Sequence, residues 1–297
     1  MEQTPILNQL LRTESGRLRL GWRLLLFAVI TVVVAAVTTA FFPTAFITAQ
    51  AALLVGAVSS GVLLLRLDRR PAGALGFYTR RAAISEASLG LGLGTVVALA
   101  VVALMAAAGG LRWTAQDGSV FAWFVGSLGA LAFLAIPAAA EEALLRGYPL
   151  QALAEVYGPW AAILVTAIVF GALHLFNPNL TFLGMVNITL AGVFLSVLYL
   201  RTGSLWWATG AHLGWNWAHA YIVDVPVSGL ELLDAPVYNG VLLGPDWLGG
   251  GAFGPEGSLI TTLVVVVAIV VCLRTPALGP SDAATEAQPL VIMVRNP

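Results

Sequence analysis

Lysine is absent from this 297-residue sequence, cysteine occurs once, at Cys272, and histidine three times. One thiol can form neither an intramolecular disulfide nor a cysteine zinc cage, so any metal would be held by His, Asp, Glu or Asn. Charge of either sign is scarce: 14 arginines and 15 acidic residues make up 10% of the chain, against about 25% in soluble domains. So few charges cannot cover a water-exposed surface. A net charge of −1 also excludes the broad basic footprint of a nucleic-acid binder. What the chain has in excess is apolar, with 59% hydrophobic residues and a mean hydropathy of +0.90.

The gaps between charges outline the architecture. No Asp, Glu, Lys or Arg occurs in Leu24–Leu65, Ala87–Leu111, Gly118–Ala140, Val156–Leu200, Thr202–Val223 or Gly257–Leu273. About 20 apolar residues cross a bilayer core. A turn at Pro43 divides the first run, and Asn177-Pro178-Asn179 divides the fourth. The expectation is an all-α polytopic integral membrane protein of about eight transmembrane helices, at 24–42, 46–65, 87–108, 119–145, 159–175, 181–200, 205–223 and 257–273. Continuous apolar runs, rather than alternating ten-residue segments, exclude a barrel. The first run is too long for a signal-peptide core and lacks a small-residue cleavage site, so it is expected to be retained.

This divides the chain into an N-terminal segment (1–23), helices 1–3 (24–108), a core of helices 4–7 (111–223), a loop (224–256), helix 8 (257–273) and a flexible tail (274–297). Orientation follows from arginine. Alternate connections hold Arg12, Arg17, Arg19 and Arg23, then Arg66, Arg69, Arg70, Arg80 and Arg81, then Arg146, Arg201, Arg274 and Arg295; only Arg112 falls on the other side. The positive-inside rule makes both termini cytoplasmic and 224–256 an exoplasmic loop, loosely ordered around Gly249-Gly250-Gly251. No internal repeat and no paired broken helices are visible, as an inverted-repeat transporter would show.

Ionisable side chains at membrane depth are costly and mark function. Glu141 and Glu142 end helix 4 and are followed by Arg146, His174 lies late in helix 5, and His212, Asn216 and His219 lie in helix 7. Glu142 and Arg146 are four apart and share a helix face, which pairs them and leaves Glu141 free as a general base. The competing reading is an interfacial cluster that anchors the helix end. His212 and Asn216, also four apart, offer an imidazole and a carboxamide from one face. His219 fits a helix-packing role, and His174 alone could be a buried structural histidine. Together, a free carboxylate, a histidine and a His/Asn face on three helices are the components of a hydrolytic site.

Glu141-Glu142-Ala-Leu-Leu-Arg146, Phe170-Gly-Ala-Leu-His174 and His212-Leu-Gly-Trp-Asn216 resemble the EExxxR, FxxxH and HxxxN motifs of the CPBP intramembrane proteases, the family of the type II CAAX prenyl proteases and bacteriocin-processing proteins. The resemblance spans Leu111 to Tyr221, and Gly73-Ala-Leu-Gly76-Phe77 is similar to a further family segment. It implies a membrane-embedded endopeptidase of a bacterial cell membrane, acting on a peptide or membrane-protein substrate. Glu141 would activate the water, with Glu142, His174, His212 and Asn216 completing the site and Arg146 and Phe170 supporting it. Zinc on Glu141, His174 and His212 is one implied arrangement; metal-free activation with the helix 7 pair as oxyanion hole is the other. No prenyl pocket or oligomeric state is legible.

Straight helices with these limits put His174 and His212 at depths about 12 Å apart. A shared site requires helix 5 to start later or tilt, or helix 7 to begin beneath the interface near Trp206-Trp207. Three other functions use the same residues: a non-catalytic scaffold or bacteriocin-immunity protein, a haem held by His174 and His212, and a proton-coupled transporter.

Overall fold

A computed structural model of the chain describes residues 10–42, 45–79 and 81–293. The expected turn at Pro43, Arg80 and Arg295, and the outer parts of the N-terminal segment and tail, lie outside the described residues. The protein is mostly helical, in the order α1 (Leu20–Ala40), α2 (Phe46–Leu67), α3 (Arg81–Ala107), β1 (Leu111–Ala115), α4 (Val120–Glu142), α5 (Tyr148–Tyr157), α6 (Pro159–Leu173), α7 (Phe182–Thr202), α8 (Leu205–Trp217), β2 (Tyr238–Leu242), α9 (Asp246–Gly249), α10 (Leu259–Arg274) and α11 (Asp282–Glu286). Five helical stretches among the described residues are long and apolar enough to cross a membrane: α1, α2, α3, Val120–Tyr157 and α7. α6 and α10 are shorter apolar helices. Exposed Val32, Val96, Leu128, Leu164 and Val267 give these helices apolar outer faces, as expected of an integral membrane protein.

Helix starts follow local chemistry. The hydroxyls of Ser119, Thr181 and Ser258 accept from the amides of Ala122, Gly184 and Thr261, satisfying donors the first turn leaves open. Pro159 opens α6 behind Gly158, whose φ of +82° turns the chain back on itself. The close seam of the bundle is α3 against α8. A Cβ on Gly90 or Gly94 would collide with the carbonyls of Trp207 and Ala211, and one on Gly210 or Gly214 with those of Ala87 and Leu91. Small residues on both sides let the backbones touch, and this fixes the helix that carries His212 and Asn216.

Two expectations about loops are corrected. The tail is docked: Val291 exchanges two hydrogen bonds with Gln151 (3.0 and 2.7 Å), Met293 N–H donates to the Leu200 carbonyl, and Ser281 donates to buried Glu86 at 2.6 Å. Its short apolar side chains Ala284 and Ala287 bury against Tyr78. The 224–256 loop is also ordered. β2 pairs antiparallel with β1, adding a small sheet to the helices, and glycines 249, 250 and 254 pack where a Cβ would strike backbone carbonyls. The arginine-rich connections gather at one end. Arg17 and Arg23 both bridge Asp68 and Glu155, and Arg201 binds the carbonyls of Leu273, Thr275 and Leu278.

Candidate active site

The helical path does not stop where α4 ends, at Glu141 and Glu142. After α4 the chain forms a π-helical turn, Ala143–Gly147, and continues as α5 to Tyr157. Arg146 is thereby carried into the interior and is fully buried, which corrects its expected place in a connection. Its guanidinium reaches Glu142 at 3.0 Å, Ser196 Oγ at 3.3 Å and the Gly192 carbonyl at 3.1 Å, and lies 4.4 Å over the Phe170 ring. A delocalised cation with a carboxylate, two further acceptors and an aromatic face is about as well compensated as a buried charge can be. α8 likewise passes into a π-helical segment, Ala218–Val223, directly after Trp217. π-turns inside helices concentrate at functional sites, and here they follow two of the three motif-bearing helices, α4 and α8.

The depth mismatch resolves at the start of α8. Leu205 is fully buried and its N–H donates to the Gly76 carbonyl, while Trp206 Nε1 donates to the Tyr78 carbonyl. The 71–79 segment and the docked tail cover this end, so α8 begins inside the protein. Glu141 and His174 are separated from the Gly158 turn by 17 and 16 residues, so the α5–α6 hairpin returns His174 toward the level of the glutamates.

His212 and His174 are each held through Nδ1. His212 Nδ1 lies 2.9 Å from Glu142 Oε1, and His174 Nδ1 lies 2.8 Å from the Phe170 carbonyl. A carbonyl accepts only, as does a carboxylate held by arginine, so in each ring Nδ1–H is the donor and Nε2 is left free. His212 Nε2 stands 3.8 Å from Glu141 Oε2, which has no hydrogen-bond partner. Both imidazoles stand edge-on to Phe170, with ring centroids 4.7 and 6.0 Å away.

These groups line one cavity of about 440 Å³. Glu141, His174, His212 and Asn216 all contribute to it, with apolar walls from Leu134, Pro137, Phe170 and Ile188. Glu142 does not line it, and meets it only through its contact with His212. His219 does not line it either. It is fully buried in the π segment with its ring edge-on to Trp215 at 4.6 Å, but neither ring nitrogen has a hydrogen-bond partner among the described residues, so the interhelical hydrogen bonds expected of it are not made. Among the described residues no three of His, Cys, Asp and Glu stand close enough to hold a metal ion. The free Nε2 atoms, each with an oxygen acceptor behind Nδ1, are nevertheless the donor chemistry and outer-shell arrangement that zinc sites use.

Glu256, the last residue of the 224–256 loop, does not stand out in the sequence. It is buried in the cavity wall, where Trp215 Nε1 donates to Oε1 at 2.8 Å and the Ser228 amide and hydroxyl donate to Oε2, both at 2.6 Å. Asn177 adds a bond to the Ser228 carbonyl. These contacts pin the 227–232 loop over the far end of the cavity and tie it to α8. The only sequence signal was position: Glu256 directly precedes a charge-free run.

Residues 122–218 match the family model described as Rce1-like, type II CAAX prenyl endopeptidase Rce1-like. The match covers about a third of the chain and contains all seven motif residues. It agrees with the resemblance to the CPBP proteases and implies a protease working in a membrane. No curated protein and no solved structure matches the chain.

Proposed function

We propose that the chain is an intramembrane endopeptidase of the CAAX-protease type in which Glu141 is the general base. Water sits in the cavity between Glu141 and the free Nε2 atoms of His212 and His174. Glu141 removes one proton as the oxygen attacks the carbonyl carbon of a peptide bond, and the Asn216 amide donates to the developing oxyanion. The proton on Glu141 then passes to the leaving nitrogen as the C–N bond breaks. Glu142, held by Arg146, accepts from Nδ1–H of His212 and so leaves Nε2 facing the water. The observation that carries this reading is Glu141 Oε2, buried without a hydrogen bond and 3.8 Å from His212 Nε2 inside a shared cavity.

Zinc, when bound, would take Glu141, His174 and His212 as ligands and supply Lewis-acid polarisation of the water; those three side chains would first have to close up. In the membrane we place eight crossings with both termini cytoplasmic, the arginine-rich end facing that side. Comparing the membrane proteomes of cells carrying the wild-type and Glu141→Ala proteins tests catalysis and finds the substrate. Cleaved fragments should appear only with the wild type, and identical proteomes would contradict the proposal.

A further inference from the structure

Among the described residues, only two side chains that line the cavity have a buried oxygen without a hydrogen-bond partner, Glu141 Oε2 and Gln50 Oε1. The first is accounted for by the water it activates. The second lies on α2, outside the segment that matches the protease family. Phe46, Gln50 and Leu53 all line the cavity and occupy one helix face at i−4, i and i+3. That wall is apolar except for the one carboxamide. Gln50 is also the only Asn or Gln in the 42-residue charge-free run Leu24–Leu65. An acceptor shielded from water and left unmade costs about 1–3 kcal/mol, so the residue is unfavourable for the empty protein. A guest that satisfies it offsets that cost on binding.

We propose that Gln50 is a substrate-positioning residue that reads the peptide backbone. A carboxamide presents one acceptor and one donor side by side, and an extended peptide offers the matching N–H and C=O. Lipid tails and prenyl chains offer neither. The inference rests on the endopeptidase reading and deepens it: the wall formed by α2 takes the peptide itself, running extended along α2, and the apolar residues around Gln50 take its side chains.

The test uses the full chain in proteoliposomes and a set of quenched-fluorescent peptides ending in CAAX sequences, with and without a farnesyl group on the cysteine. Gln50→Leu is close in size and removes both polar atoms. It should leave the unfolding temperature in detergent unchanged or raised, increase KM about ten-fold and change kcat less than two-fold. N-methylation of one backbone nitrogen should weaken the wild type to the same extent and leave Gln50→Leu unaffected. A lowered unfolding temperature, an unchanged KM, or a methylation penalty retained in Gln50→Leu would each overturn the proposal. Failure of the underlying reading looks different: the wild type would cleave no peptide, or Glu141→Ala would cleave as fast as the wild type.

Discussion

His212 and Arg146 share one oxygen of Glu142, at 2.9 and 3.0 Å, in a site where Glu142 and Arg146 are fully buried. The neighbouring Glu141 is partly open to the cavity and bonds to neither of them. Two adjacent carboxylates therefore stand in different surroundings, one bound into the structure of the site and the other, in the proposed mechanism, the general base.

That division predicts opposite behaviour of the two glutamates in unfolding. Glu142→Gln leaves Arg146 as an uncompensated buried charge, a loss of about 3–5 kcal/mol. Glu141→Gln removes no hydrogen bond at Oε2 and should cost under about 1 kcal/mol. Thermal unfolding of both variants in the same detergent checks this. Equal destabilisation would contradict the assignment.

The seam between α3 and α8 sets the position of His212 and Asn216. Gly94→Ala and Gly210→Ala each place a methyl against a facing carbonyl, and should destabilise the protein by about 1–3 kcal/mol and reduce kcat more than KM. Gly129→Ala, where a Cβ meets nothing within 4 Å, is the control that should be neutral in both assays.

Asp224, just past the π segment at the start of the 224–256 loop, gives a pH signature. Burial, reinforced by Asp234 and Glu231 and opposed by the Ala235 amide, pushes its carboxyl up from 3.8 to about 6. A folded-state pKa above the unfolded one means that the folded state binds the proton more tightly. The stabilisation is complete below about pH 4 and is lost as pH rises through 6. Asp224→Asn should therefore gain unfolding temperature relative to the wild type between pH 4 and 7. A difference that stays flat across that range would refute it.

Metal dependence is separable from the carboxylate chemistry. With zinc on Glu141, His174 and His212, chelation should abolish cleavage, added zinc should restore it, and elemental analysis should find one zinc per chain. Full activity in a metal-free preparation would remove zinc from the account and leave Glu141 as base.

Much of this was legible because charge is so scarce. The charge-free runs coincide with helices to within a few residues, since a bilayer allows little else, and the four cavity groups Glu141, His174, His212 and Asn216 are costly enough at depth to stand out. What stayed hidden depended on contacts between distant segments. Arg146 looked like a connection charge because the π-turn that carries α4 on into α5 has no periodicity signal. Glu256 has no sequence feature that separates it from other loop acids, because its partners Trp215 and Ser228 lie 41 and 28 residues away. The docking of the tail rests on Gln151, Glu86 and the Leu200 carbonyl, a carboxamide, a buried acid and a backbone group that hydropathy does not register. Gln50 carries no charge, so a search for ionisable groups passes over it.

The most direct measurement is cleavage by the purified, reconstituted protein with Glu141 or His174 replaced by alanine, each variant shown to be folded by its unfolding temperature. Loss of the general base should lower kcat by at least about 10², and His174→Ala should also abolish turnover. A folded Glu141→Ala protein that cleaves as fast as the wild type would contradict the central claim.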